Sequence, residues 1–103
     1  MLRAALIAVC IAVFPAAGAY AAGKTHTVRI EGMKFVPDRL EVAVGERITW
    51  TNRDFVPHTV TAKGVESGEL GEGKSFSYVA KTPGELAYIC RLHPVMKGTL
   101  VVR

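Results

Sequence analysis

The chain has 103 residues, 50% of them hydrophobic, with 13 Lys and Arg against 9 Asp and Glu for a formal net charge of +4. Such a length holds a single domain. The charges alternate in sign along the chain instead of forming a basic run, so they give nucleic-acid binding no support.

The N-terminus comes first. Arg3 is a short charged region, Ala4 to Phe14 an apolar stretch and Ala19-Tyr20-Ala21 an A-x-A site, the three parts of a secretory signal. Eleven apolar residues fall short of the roughly twenty that span a bilayer, so no stable membrane insertion is expected. Cleavage is expected after Ala21 or Ala22, which makes 1–22 a signal peptide and 23–103 the working domain. Cys10 lies too early, and behind Val9, for a lipoprotein cleavage site. Removal of the signal leaves about 82 residues, a net charge of +3 and Cys90 as the sole cysteine. No disulfide can then form within the domain. In an oxidising, exported setting an unpaired thiol is a liability unless something occupies it, and a bound metal would do so.

Beyond the signal, apolar and polar residues alternate with a period of two, the pattern of half-buried strands. Leu40, Val42 and Val44 share one face with Glu41 opposite. Ile48 and Trp50 point inward, with Arg47, Thr49 and Thr51 outside. Phe76 and Tyr78 alternate with Ser75 and Ser77. Turn residues interrupt these runs at Pro37-Asp38, Gly45-Glu46, Asn52 to Pro57, Gly71 to Gly73 and Pro83-Gly84. Strands are expected near 25–31, 39–44, 47–52, 58–62, 74–79, 85–90 and 98–102, about seven in all, which implies an all-β sandwich. Only Gly64 to Leu70 has room for a short helical turn. A domain this small needs a well-packed core or a metal staple.

Metal-binding residues gather near the end of the chain. Cys90, His93 and Met96 stand three apart in CRLHPVM, and His58 lies in VPHTV. One thiolate, two imidazoles and one thioether are the donor set of a mononuclear blue-copper centre. Thiolate and thioether favour Cu(I), imidazole suits both oxidation states, and a rigid strand-end site holds both near one geometry. Structural zinc sites use four Cys or His ligands, and covalent haem needs C-x-x-C-H, which is absent from the chain. His26, the remaining histidine, is expected as an exposed strand residue, too little for the histidine-rich sites of copper enzymes. A copper-binding protein without enzymatic activity is the expectation.

With these residues in view, the chain resembles the cupredoxins, in particular the small bacterial amicyanin-like and plastocyanin-like proteins. The resemblance runs through MKFVPDRLEVAVGERITWTNRD, VPHTV and GEGKSFSYVAKTPGELAYICRLHPVMKGTLVV, and is most specific in C-x-x-H-P-x-M-x-G. It implies a Greek-key β-sandwich with one copper on His58, Cys90, His93 and Met96, shuttling single electrons in the periplasm. Its partners would be transient redox proteins such as a cytochrome c, a dehydrogenase or an oxidase, met as a monomer. The rival reading is a periplasmic copper chaperone or store that supplies an oxidase.

Two positions depart from the family pattern. Thr59 stands where Asn often ties the ligand loops together, and its hydroxyl is expected to make a weaker tie. Leu92 replaces a Pro, which restores an N–H for the thiolate. In such proteins the downstream histidine edge lies within an apolar patch, here assigned to Phe55, Val56, Pro57, Pro94 and Val95. Arg53, Arg91 and Lys97 would steer an acidic partner.

Overall fold

The computed structural model describes residues 23–103, so the signal expected over 1–22 lies outside the described residues. Among the described residues there are nine strands and no helix: β1 Thr25–Ile30, β2 Phe35–Val36, β3 Arg39–Val42, β4 Arg47–Asn52, β5 Thr61–Ala62, β6 Val65–Glu66, β7 Ser75–Val79, β8 Gly84–Cys90 and β9 His93–Val102. They form two sheets, ordered β2-β1-β4-β7 and β3-β9-β8-β5-β6. Pairing is antiparallel except for β1 beside β4 and β3 beside β9, which run parallel.

Strand formation follows from the alternation. In β4 the inward Ile48, Trp50 and Asn52 are buried while Arg47 is exposed. In β9 the inward set is Met96, Gly98, Leu100 and Val102. Ile48, Trp50, Met96, Leu100 and Val102 meet in one core with Val28, Ile30, Phe35, Val42, Val60, Leu70, Ala80, Tyr88 and Cys90. Each fully buried Val, Ile or Leu contributes about 1.5–3 kcal/mol through removal from water. Trp50 sits edge-on to Tyr88 with ring centroids 5.5 Å apart, and Tyr88 edge-on to Phe35 at 4.7 Å. Cys90 and Met96 belong to this same core, so two of the soft donors are held by the packing that stabilises the domain.

Three details differ from the sequence reading. The expected strand over 58–62 shrinks to an isolated bridge between His58 and Leu70 followed by the two-residue β5. The stretch from Gly64 to Leu70 carries the short β6 and no helical turn. The last strand starts at His93, five residues before the expected position, because β8 and β9 close into a hairpin directly around Arg91 and Leu92. A donor residue in so tight a turn carries no period-two signal, so its strand character is hidden. The all-β sandwich stands, with nine short strands in place of seven.

Candidate metal centre

Three loops converge at one end of the sandwich: 31–34, 52–58 and the turn at 91–92. The second is organised by Asn52, which is fully buried. Its amide nitrogen donates to Val56 O at 2.9 Å and Leu70 O at 2.8 Å, and its amide oxygen accepts Asp54 N–H at 2.9 Å. The loop is therefore wound around one side-chain amide whose orientation its three partners fix. His58 follows, locked to Leu70 by reciprocal backbone bonds of 3.1 and 2.7 Å. The other two donors enter from the hairpin, where Cys90 ends β8 and faces His93, the first residue of β9.

The donor atoms of His58, Cys90 and His93 all lie within 4.8 Å of one another. Nδ1 of His58 and Nδ1 of His93 each stand 3.7 Å from Cys90 Sγ. Sulfur and nitrogen donors at about 2.3 and 2.0 Å from one ion, spread about 120° apart, would be separated by about 3.7 Å. The three side chains thus fit one ion in a trigonal arrangement. Met96, buried and inward on β9, is the candidate for the thioether that would set this donor group apart from zinc sites. Cys90 and His58 are wholly buried, while His93 is half-buried and reaches toward the surface.

Asp54 was not singled out from the sequence. Its Oδ2 lies 2.8 Å from His58 Nε2, and its two carboxylate oxygens accept Gly32 N–H at 2.8 Å and Met33 N–H at 3.0 Å. Burial pushes its pKa up, but the N–H groups of Met33 and Gly32 and the His58 ring outweigh that and hold the carboxyl below its ordinary value. An ionised Asp54 can only accept, so it places the imidazole proton on Nε2 and leaves the Nδ1 lone pair facing the sulfur. An acid four residues before a histidine is the sole trace of this in the sequence, and in a loop that spacing fixes no geometry.

At the two departures from the family pattern, Thr59 makes two links. Its hydroxyl oxygen accepts Arg91 N–H at 2.9 Å, tying the loop of His58 to the turn of Cys90. Its backbone N–H points at Cys90 Sγ at 3.3 Å. Leu92 N–H makes no bond to the sulfur; Leu92 stands at the surface in the turn. The backbone donor on the thiolate therefore comes from Thr59, because β8 and the 58–60 segment lie side by side. His26 also differs from expectation: it is half-buried on β1 and 3.0 Å from the buried Glu46.

Phe55, Val56, Pro57, Pro94 and Val95 are all exposed, Phe55 at 92% and Val95 at 89%. The other large exposed apolar side chains among the described residues are Met33 and Leu92, also in the three loops at this end. A surface cleft of about 370 Å³ between the 33–38 segment and residues 95–97 continues the region, with Lys34 and Lys97 in its wall. Arg53 and Lys97 are exposed, whereas the Arg91 guanidinium is paired with Glu66 at 3.0 Å. Arg91 is thus less available for steering than its place in the sequence suggests.

Comparison with known proteins agrees with this geometry. The profile of the cupredoxin-like domain matches residues 3–102. Amicyanin-alpha of Methylorubrum extorquens is 34% identical over 118 aligned positions, covering 98% of this chain and 99% of that protein. Amicyanin of Paracoccus denitrificans is 34% identical, covering 85% of this chain and 72% of its own length. Among solved structures, an amicyanin variant in its Cu(I) form superposes with a TM-score of 0.75 at 30% identity, over 82% of this chain and 88% of that one. A copper-containing nitrite reductase of Thermus scotoductus gives 0.71 at 30% identity, over 77% of this chain but only 22% of the enzyme's.

Proposed function

The chain belongs to the cupredoxins, of the small amicyanin and plastocyanin type, and we propose that it is a periplasmic blue-copper electron carrier. The observation that carries this is the triangle of Cys90 Sγ and the two imidazole Nδ1 atoms, with both sulfur–nitrogen separations at 3.7 Å. When bound, copper supplies one-electron chemistry between Cu(I) and Cu(II).

The protein's part is to keep the donors still. His58 is held by Asp54 and Leu70, Cys90 by Thr59, and Met96 by the core. Ligands that do not move on a change of oxidation state keep the cost of electron transfer low. His93, half-buried beneath exposed Pro94 and Val95, is the donor nearest solvent and the natural exit for the electron. The ring of Phe55, Val56, Pro57, Pro94 and Val95 would form a small docking face, as transient redox encounters require. The partners would be soluble redox proteins met briefly by a monomer, and the expected signal would export the chain.

Burial favours this over a copper chaperone. A chaperone hands its metal on, which needs donors a partner can reach, and here Cys90 and His58 are fully enclosed. Nor do the described residues hold a second cluster of His, Cys, Asp or Glu for the additional metal site of a copper enzyme. The test is a visible spectrum and reduction potential of the copper-loaded protein together with its rate of copper loss to a Cu(I) chelator. An intense blue Cu(II) form that releases Cu(I) slowly is expected. Rapid exchange would support the chaperone reading, and a colourless Cu(II) complex would end the blue-copper assignment.

A further inference from the structure

Arg91, directly after Cys90, is gripped twice. Its backbone N–H donates to Thr59 Oγ1 at 2.9 Å, and its side-chain Nε–H donates to Glu66 Oε1 at 3.0 Å. Between those two acceptors runs a third path. Thr59 Oγ1 lies 2.8 Å from Thr61 Oγ1, and the Thr61 hydroxyl donates to Glu66 Oε1 at 3.0 Å. The four residues close a ring that begins and ends on Arg91.

The carboxylate sets the direction of the two hydroxyl bonds in it, Arg91 being a donor in the other two. Glu66 can only accept, so Thr61 must give it its single hydroxyl proton. Thr61 Oγ1 is then free to accept, and Thr59 gives its proton to Thr61. With that proton committed, the Thr59 oxygen turns its lone pairs toward Arg91 N–H. Reversing either hydroxyl would set two protons against each other. The other carboxylate oxygen of Glu66 is held by Gly68 N–H at 2.6 Å, and the 66–68 strap is pinned to Val60 by Ser67, whose hydroxyl accepts Val60 N–H at 2.7 Å.

We propose that Glu66 is a positioning residue for the candidate metal centre, acting through Thr61 and Thr59 to fix the Arg91 peptide and with it the Cys90–His93 turn. This rests on the reading of that turn as a copper ligand loop. A hydroxyl alone is a weaker tie than an amide, because it is free to rotate. The ring removes that freedom. The Gly68 N–H and the Arg91 side chain keep Glu66 below its ordinary pKa and so in the accepting form. Glu66 and Arg91 are both about half-exposed, and an exposed ion pair by itself stabilises little. The pair matters here for the proton order it imposes on two less exposed hydroxyls.

The experiment compares Glu66→Ala and Thr61→Val with Glu85→Ala, which removes a similarly exposed ion pair, to Arg39 at 3.1 Å, from the far end of β8. Amide hydrogen exchange is read on the copper-free protein, and Cu(I) release to a chelator and the reduction potential on the loaded protein. Exchange at the Arg91 amide should quicken roughly tenfold in both ring variants, as expected for weakening a charge-anchored hydrogen bond, with faster Cu(I) release and a shifted potential. Glu85→Ala should leave all three unchanged. The double variant Glu66→Ala with Thr61→Val should add little to either single change, since both open the same ring. Unchanged Arg91 exchange in the ring variants would overturn the proposal. So would faster exchange with copper release and potential unmoved, because the ring would then not reach the centre. The exchange arm needs no metal, so it decides the ring even if the copper reading itself fails.

Discussion

His58 Nε2 stands 2.8 Å from Asp54 Oδ2, and the same carboxylate gathers the N–H groups of Gly32 and Met33. One side chain therefore sets the tautomer of a candidate ligand and ties its loop to the loop beside it. Asp54→Asn offers a neutral amide in the same space. Copper affinity should fall by about 10–100-fold, the usual cost of losing a carboxylate behind a metal-bound histidine. Competition against a calibrated chelator measures it; an unchanged affinity would mean that Asp54 serves only the loop.

Cys90 would supply the thiolate that gives a blue-copper centre its colour. Cys90→Ala should abolish the intense visible band. In the native protein, removal of copper should lower Tm by about 10 °C or more, since a metal bound only to the folded state at high saturation adds several kcal/mol in a domain this small. Thermal melts with and without chelator test the second point, and a blue Cys90→Ala protein would refute the first.

Met96 lies inward on β9, three residues beyond His93. Replacing its thioether with an amide should keep the metal and lower the reduction potential, because an amide oxygen favours Cu(II) over Cu(I). Voltammetry of Met96→Gln decides it, and a potential equal to that of the native protein would show that Met96 does not bind.

Gly98 faces Tyr88 across the β8–β9 ladder, and the Tyr88 ring fills the space where a β-carbon at 98 would go. Tyr88 is itself wedged between Trp50 and Phe35, so it has little room to yield. Gly98→Ala should destabilise the domain by about 1–3 kcal/mol or more, the cost of overpacking a close-packed core. Urea unfolding of the variant gives the number, and a loss under a few tenths of a kcal/mol would contradict the packing.

Glu46 Oε1 accepts Ala43 N–H at 2.7 Å and lies 3.0 Å from His26 Nε2. The Ala43 bond, then the His26 bond, hold its pKa below the ordinary 4.5. A carboxyl whose pKa is lower folded than unfolded adds stability that is fully present above the unfolded value and lost as pH falls through the folded one. Glu46→Gln should therefore melt a few degrees below the native protein at pH 7, with the gap closing as the pH drops below 4.5. A gap that persists unchanged in acid would assign the effect to shape, not charge.

The shared inward face of Ile48 and Trp50 and the alternation of Phe76 and Tyr78 with Ser75 and Ser77 were readable because side chains on a strand alternate faces whatever the strand pairs with. The close spacing of Cys90, His93 and Met96 was readable for a similar reason, since residues three apart at a turn cannot be far apart in space. The hairpin's early start at His93 and the short β5 and β6 were not, as tight turns and two-residue strands carry no periodicity. Asp54 beneath His58, the Thr59 N–H on Cys90 and the ring through Thr61 and Glu66 depended on which backbone segment lies against which. Half of these contacts join residues 25 or more positions apart. Such partners are set by sheet register and loop packing, and a hydrogen bond needs its donor and acceptor placed to within a few tenths of an ångström, a precision that only the assembled sandwich supplies.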